Sequence, residues 1–210
     1  VNGGGAAGLS LTQLLLSIGI KNLIVGDTKG AIFRGRKENM NGMKTKIAEI
    51  TNPKNEEGDL PSILKGADVF VGVSAAGALK GEWIKNMNSK PIILALANPV
   101  PEIMPDEAKK SGAFIVCTGR SDFKNQVNNS LAFPGIFRGT LDVKSKEINQ
   151  EMKLAAAKAI AGLILEYELT VDYVIPSALD TRVPVLVAMA VAEAAISTGV
   201  ARADIDPSNV

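Results

Sequence analysis

Val1-Asn2-Gly3-Gly4-Gly5-Ala6-Ala7-Gly8 opens the chain and decides how the rest is read. Gly3, Gly5 and Gly8 occupy the three glycine positions of G-x-G-x-x-G, and an apolar helical pattern follows at Leu9, Leu11, Leu14, Leu15 and Ile18. A glycine turn running into a helix lets backbone amides approach an anion at the positive end of the helix dipole. In a strand–turn–helix setting this is where a dinucleotide pyrophosphate binds. Only Val1 and Asn2 precede the glycines, so the chain is expected to begin inside its own first strand, as part of a larger protein. Asp27 stands 19 residues after Gly8, at the end of the next apolar run. A carboxylate there suits the hydroxyls of an adenosine ribose and repels a 2′-phosphate, while Lys29, Arg34 and Arg36 close behind it would accommodate one.

Four apolar runs, at 23–25, 69–73, 92–96 and 114–116, are rich in β-branched and large apolar residues without polar alternation. Strands buried on both faces of a parallel sheet read this way. The runs end at Asp27, Ser74, Asn98 and Thr118, and ligands of open parallel sheets bind outside the carboxyl ends of the strands. The expected fold class is α/β: a Rossmann-like, doubly wound, mainly parallel sheet with C-terminal helices. Helices are predicted at 43–50, from Asp59-Leu60-Pro61 onward, at 81–87, 105–110, 142–168 and 184–198, with a short strand at 173–175. The expected organisation is a dinucleotide-binding core over 1–145 and a helical extension of the same domain over 146–210.

Composition narrows the function. Of 210 residues, 46% are hydrophobic and 21% charged, as in a globular chain. Its 23 basic and 22 acidic residues leave a net charge of +1, which argues for no nucleic-acid and no membrane partner. No apolar stretch approaches the ~20 residues of a membrane span. Cys117 is the single cysteine, read as a small buried residue, and a cytoplasmic location is expected. There is no histidine, so no imidazole of these residues serves as general base, proton shuttle or metal ligand. No cluster of carboxylates has metal-ligand spacing.

Three stretches carry polar groups at strand ends. Gly72-Val73-Ser74-Ala75-Ala76-Gly77 is a small-residue turn that would let a flat ring or ribose lie on backbone, or simply a tight connection. In Ala97-Asn98-Pro99-Val100-Pro101-Glu102 the Asn98 amide offers donor and acceptor together to a ligand, or caps a turn. Thr118-Gly119-Arg120-Ser121-Asp122-Phe123, followed by Asn128-Asn129, leaves Arg120 to clamp a carboxylate or to pair with Asp122 or Glu102.

Taken together, the stretches VNGGGAAG, GDTKGAI, GADVFVGVSAAG, ALANPVPEI, TGRSDFKNQVNNSLAFPGIFRG and EMKLAAAKAIA closely resemble the NAD(P)-binding domain of malic enzymes of the short bacterial and archaeal type. The resemblance runs to about Arg182. Gly4 departs from it, since the family more often has alanine there, and is expected to loosen the turn without disturbing binding. The resemblance implies oxidative decarboxylation of malate to pyruvate and CO2, with NAD or NADP reduced and Mg2+ or Mn2+ assisting. It maps Gly3, Gly5, Ala6, Ala7 and Gly8 to the pyrophosphate, Asp27 to the adenosine ribose, and Ser74 and Ala75 near the cofactor. Asn98 maps to the nicotinamide and substrate site, and Asn128 and Asn129 to malate. It places the family's catalytic tyrosine and lysine and its metal-binding carboxylates upstream of the glycine loop, so no catalytic residue and no metal ligand is expected here. A homodimer is implied. Two alternatives stand beside it: the cofactor domain of another two-domain hydroxy- or amino-acid dehydrogenase, and a non-catalytic NAD-sensing module.

Overall fold

A computed structural model describes residues 1–203 and 205–207. The chain forms two compact units, Val1–Phe123 and Lys124–Val210. The division falls ahead of the expected boundary at 145. The helix over 133–142 lies in the second unit, where two of its glycines are shaped to the last helix.

In the first unit the glycine loop leads into α1 (Ala6–Ser17). Leu9 and Thr12 of α1 are buried, whereas Ile18 falls beyond the helix and is exposed, so the inward stripe is shorter than the apolar pattern suggested. A hairpin of β1 (Gly26–Asp27) and β2 (Gly30–Ala31) follows, then α2 (Gly42–Ile50) and α3 (Leu60–Ile63). Asn41 and Asp59 cap the two helices, accepting from the amides of Lys44 and Ser62. Three parallel strands, β3 (Val69–Gly72), β4 (Ile92–Ala95) and β5 (Ile115–Thr118), alternate with α4 (Gly81–Ile84) and α5 (Pro105–Lys110). The register aligns Gly72, Ala95 and Thr118, so the segments leaving all three strands emerge along one edge. The strands are buried mainly on one face. Phe70, Ile93 and Val116 pack with Leu79, Ile84 and Ala108, while Val69 is 45% exposed on the other face.

Residues 23–25 are not a regular strand, although Leu23 and Val25 are buried; the ladder starts one residue later, at Gly26. Its partner is the start of the chain. Asn2 makes parallel bridges to Gly26 on one side and Gly72 on the other. Gly3 N donates to Gly26 O (2.8 Å), and Asn2 N donates to Val71 O (2.7 Å). Val1–Asn2 therefore lies between two later segments of the chain, and strand order reverses across it. This is the topological switch point of a doubly wound sheet, where a crevice opens at the carboxyl ends.

The second unit is helical. It comprises α6 (Phe133–Asp142), α7 (Gln150–Ala161) and α8 (Arg182–Ser197), with two short 3-10 turns at Asn129–Leu131 and Glu166–Glu168. The helical region expected over 142–168 is shorter at both ends: α7 starts at Gln150, where Asn149 caps it by accepting from Met152 N (3.0 Å), and stops at Ala161, while α6 ends where the expected region begins. Residues 173–175 form no strand, only a bridge between Thr170 and Tyr173. A side chain at Gly135 would meet Val187 Cβ at 2.6 Å, and one at Gly139 would collide with Ala188 O. The two glycines of FPGIFRG thus let α6 and α8 approach closely, so their presence needs no ligand. The apolar face of α8 turns inward, burying Val183, Val187 and Val191.

Candidate functional site

A cleft of about 650 Å3 opens at the switch point, lined by Gly3, Gly4, Gly5, Asp27, Ser74 and Ala75, with Leu60, Pro61 and Trp83 on its outer wall. Ala6, Ala7 and Gly8 continue into the first turn of α1. Gly5 caps α1 in extended conformation, with no side-chain cap and no acidic residue in the first turn. The first amides of a helix lack internal partners, so this end presents donors and positive potential to the cleft. The loop fits a flat, anionic ligand because side chains are excluded from it. Gly3 has φ +141°, and a Cβ there would lie 2.5 Å from Val73 O; a Cβ at Gly8 would collide with Gly3 O. Gly4 matters more than expected. A Cβ there would sit 3.0 Å from Asp27 Cβ and 3.1 Å from Lys44 Cε, so glycine leaves room over a buried ion pair rather than merely loosening the turn.

That pair is the electrostatic centre of the site. The Asp27 side chain is 6% exposed; Arg36 Nη2 reaches its Oδ1 and Lys44 Nζ its Oδ2, each at 2.7 Å. The Lys29 backbone N–H donates to Oδ1 (2.9 Å) and Asn39 Nδ2 to Oδ2 (3.0 Å). Burial pushes the Asp27 carboxyl up, but hydrogen bonds from Lys44, Arg36 and the Lys29 amide, with the charge of Arg36, bring it below the usual carboxylate range. Four donors fill the roughly four acceptor positions of a carboxylate. Arg36 also donates to Gly30 O (3.2 Å), Ala31 O (2.8 Å) and Glu38 O (2.9 Å), so it is committed to the hairpin. Lys29 instead pairs with Glu38 (2.6 Å) in solvent. Sequence reasoning missed Lys44, which is buried. A lysine in a charged helix reads as solvated, and only the fold turns it inward.

On the other side of Val1–Asn2, Ser74 Oγ accepts from Asn2 Nδ2 (3.0 Å) and donates to Glu102 Oε1 (3.1 Å). Asn98, joined to Pro99 by a cis peptide bond, is exposed three residues beyond the end of β4 and is not among the residues lining the cleft. Thr118 is fully buried. Arg120 pairs bidentately with Asp122 (2.8 and 2.6 Å), the plainer of its two readings. Cys117 is buried, and burial pushes its thiol up to about 11, which makes it a poor nucleophile. Asn128 and Asn129 belong to the second unit. Asn128 caps the 3-10 turn by accepting from Ser130 N (2.9 Å), and Asn129 is exposed. Among the described residues no group of three His, Cys, Asp or Glu side chains comes together to hold a metal. Asp27 is already occupied by its own cations.

The likeness to known proteins agrees with this geometry. The family profile described as "Malic enzyme, NAD binding domain" matches residues 17–196. The chain is 54% identical to the bifunctional malic/malolactic enzyme of Bacillus subtilis, covering all of this chain and 51% of that protein. It is 48% identical to an NADP-dependent malic enzyme of Haemophilus influenzae, over 95% of this chain and 28% of that one. Among solved structures, the NAD-dependent malic enzyme of Thermotoga maritima superposes with a TM-score of 0.86 at 48% identity, covering 91% of this chain and 50% of that one. The malic enzyme of Pyrococcus horikoshii gives 0.91 at 42% identity, over 99% and 49%. The chain thus spans about half the length of several of these relatives, and less of others. The match of the family profile over residues 17–196, with these relatives and solved structures beside it, shows that this chain belongs to the malic enzyme NAD-binding domain family.

Proposed function

We propose that this chain is the cofactor-holding part of an enzyme that oxidises and decarboxylates malate to pyruvate and CO2. The observation that carries the reading is the uncapped amino end of α1 facing a cleft from which side chains are excluded at Gly3 and Gly8. Bound there, NAD+ or NADP+ supplies the hydride acceptor. The amides of the first turn, at Ala6, Ala7 and Gly8, hold the pyrophosphate. The adenosine ribose lies on the Asp27 side and the nicotinamide on the Ser74, Ala75 and Asn98 side, since these flank Val1–Asn2 in opposite directions. A ribose hydroxyl that bonds Asp27 takes the place of one of its four donors, and Asn39 is the exposed partner that yields. Arg36 and Lys44 offset the charge of Asp27, which permits a 2′-phosphate nearby.

Asn128 and Asn129 are assigned to malate, and Asn98 to the nicotinamide and substrate. An assisting Mg2+ or Mn2+ belongs to the same reading, although among the described residues no group of three His, Cys, Asp or Glu side chains comes together to hold it. The homodimer and the cytoplasmic location belong to the same reading; no helix of the described residues is long and apolar enough to cross a membrane. Calorimetry of the intact protein with NAD+ and NADP+ tests the cofactor assignment, which fails if neither binds. In the same protein Asn129→Ala is expected to raise the KM for malate about tenfold, the worth of one hydrogen bond to a charged group. An unchanged KM removes Asn129 from the substrate site.

A further inference from the structure

Glu102 is fully buried, yet it lies in a loop between β4 and α5. Its Oε1 accepts from the Ser74 backbone N–H (2.9 Å) and from Ser74 Oγ (3.1 Å), and its Oε2 accepts from Ala97 N (3.0 Å). Through Ser74 Oγ the chain of bonds continues to Asn2 Nδ2 (3.0 Å). One carboxylate therefore links three neighbouring segments: Asn2, which bridges β1 and β3, and the loops leaving β3 and β4. The sheet makes room for it. A side chain at Gly72 would collide with the Glu102 carboxylate, so a strand position gives up its side chain to admit this one. Backbone bonds fasten the same two loops, from Gly77 N to Pro101 O (3.2 Å) and from Leu79 N to Glu102 O (3.0 Å).

We infer that Glu102 is a positioning residue for the nicotinamide half of the cofactor, setting the placement of Ser74, Ala75 and Asn98 relative to the glycine loop. The inference rests on the cofactor reading above. Glu102 does not reach the opposite flank: the bonds given to Asp27 come from Lys29, Arg36, Asn39 and Lys44. Its influence is accordingly one-sided. Both of its oxygens accept, whereas an amide offers one acceptor. Glu102→Gln keeps the volume and leaves one backbone N–H, at Ser74 or at Ala97, facing another donor.

The test is calorimetric, on the intact protein, with NADH against ADP, or with NADPH against 2′,5′-ADP if the wild type prefers them. The fragments occupy the Asp27 side and omit the nicotinamide. Glu102→Gln is expected to weaken the dinucleotide about tenfold and the fragment less than twofold. Equal losses, or no loss, overturn the inference, since a general structural role moves both ligands together. A wild type that binds the fragment and not the dinucleotide also overturns it. A wild type that binds neither ligand overturns the cofactor reading and this inference with it. If Glu102→Gln does not fold, hydrogen exchange on the wild type decides: the Ser74 and Ala97 amides should be protected without ligand. Exchange at the rate of free loop amides overturns the inference.

Discussion

Asp27 and Glu102 are two buried carboxylates on opposite flanks of the same glycine loop, and they are held in different ways. Asp27 is met by two cations, a side-chain amide and one backbone N–H. Glu102 is met by two backbone N–H groups and a hydroxyl. The first arrangement cancels charge within a hairpin and helix. The second fixes the relative position of loops from different strands. Under the proposed cofactor reading the contrast separates two tasks: setting the potential on the Asp27 flank, proposed for the ribose, and setting the geometry on the Ser74 flank, proposed for the nicotinamide ring.

The contrast is broken most directly at Asp27. Asp27→Ala leaves Arg36 and Lys44 buried without their partner and should cost about 3–5 kcal/mol in chemical denaturation. The Asp27 carboxyl titrates lower in the folded than in the unfolded chain, so its contribution is present above the unfolded-state value, about pH 4, and is lost as pH falls through the folded one. Acidification into that range should therefore destabilise the wild type more than Asp27→Ala; parallel pH profiles would show that the ion pair carries no net stability. Glu102→Gln strands one amide rather than two cations, and about 1–3 kcal/mol is expected in the same measurement. A cost equal to that of Asp27→Ala would erase the distinction.

Two smaller effects sharpen it. Lys44→Gln removes a charge that offsets Asp27 and should shift the ratio of NADP to NAD affinities towards NAD by about tenfold. An unchanged ratio would mean that Lys44 serves the fold alone. Asn39→Ala removes the exposed donor and should cost under about 1 kcal/mol, since water replaces it. A larger loss would show that Asn39 is integral to the network.

Much of this is written in the sequence. The spacing from the glycine loop to Asp27 is local chemistry, and the runs at 69–73, 92–96 and 114–116 announce strands because β-branched residues crowd there. Asp59 before Leu60-Pro61 reads as a helix start because a carboxylate can take up free amides. Other features were hidden. Nothing near Lys44 or Glu102 in the chain says that either is buried, and charged residues default to solvent. Arg120 and Asp122 lie two residues apart, and their pairing left a ligand-clamping reading unsupported. The helix expected over 142–168 spans only Gln150–Ala161, because helical apolar spacing continues through flanking residues whose backbone turns away.

By itself the sequence determined the fold class, the place of the glycine turn that leads into α1 and the row of polar strand ends, because each follows from periodicity or from a few adjacent residues. Tertiary structure alone decided that Val1–Asn2 bridges two later segments, that Arg36 and Lys44 close on Asp27, and that Glu102 enters the space Gly72 leaves. These are contacts between residues 9 to 70 positions apart. Their energy depends on burial and on partners that only the folded chain brings within hydrogen-bond reach.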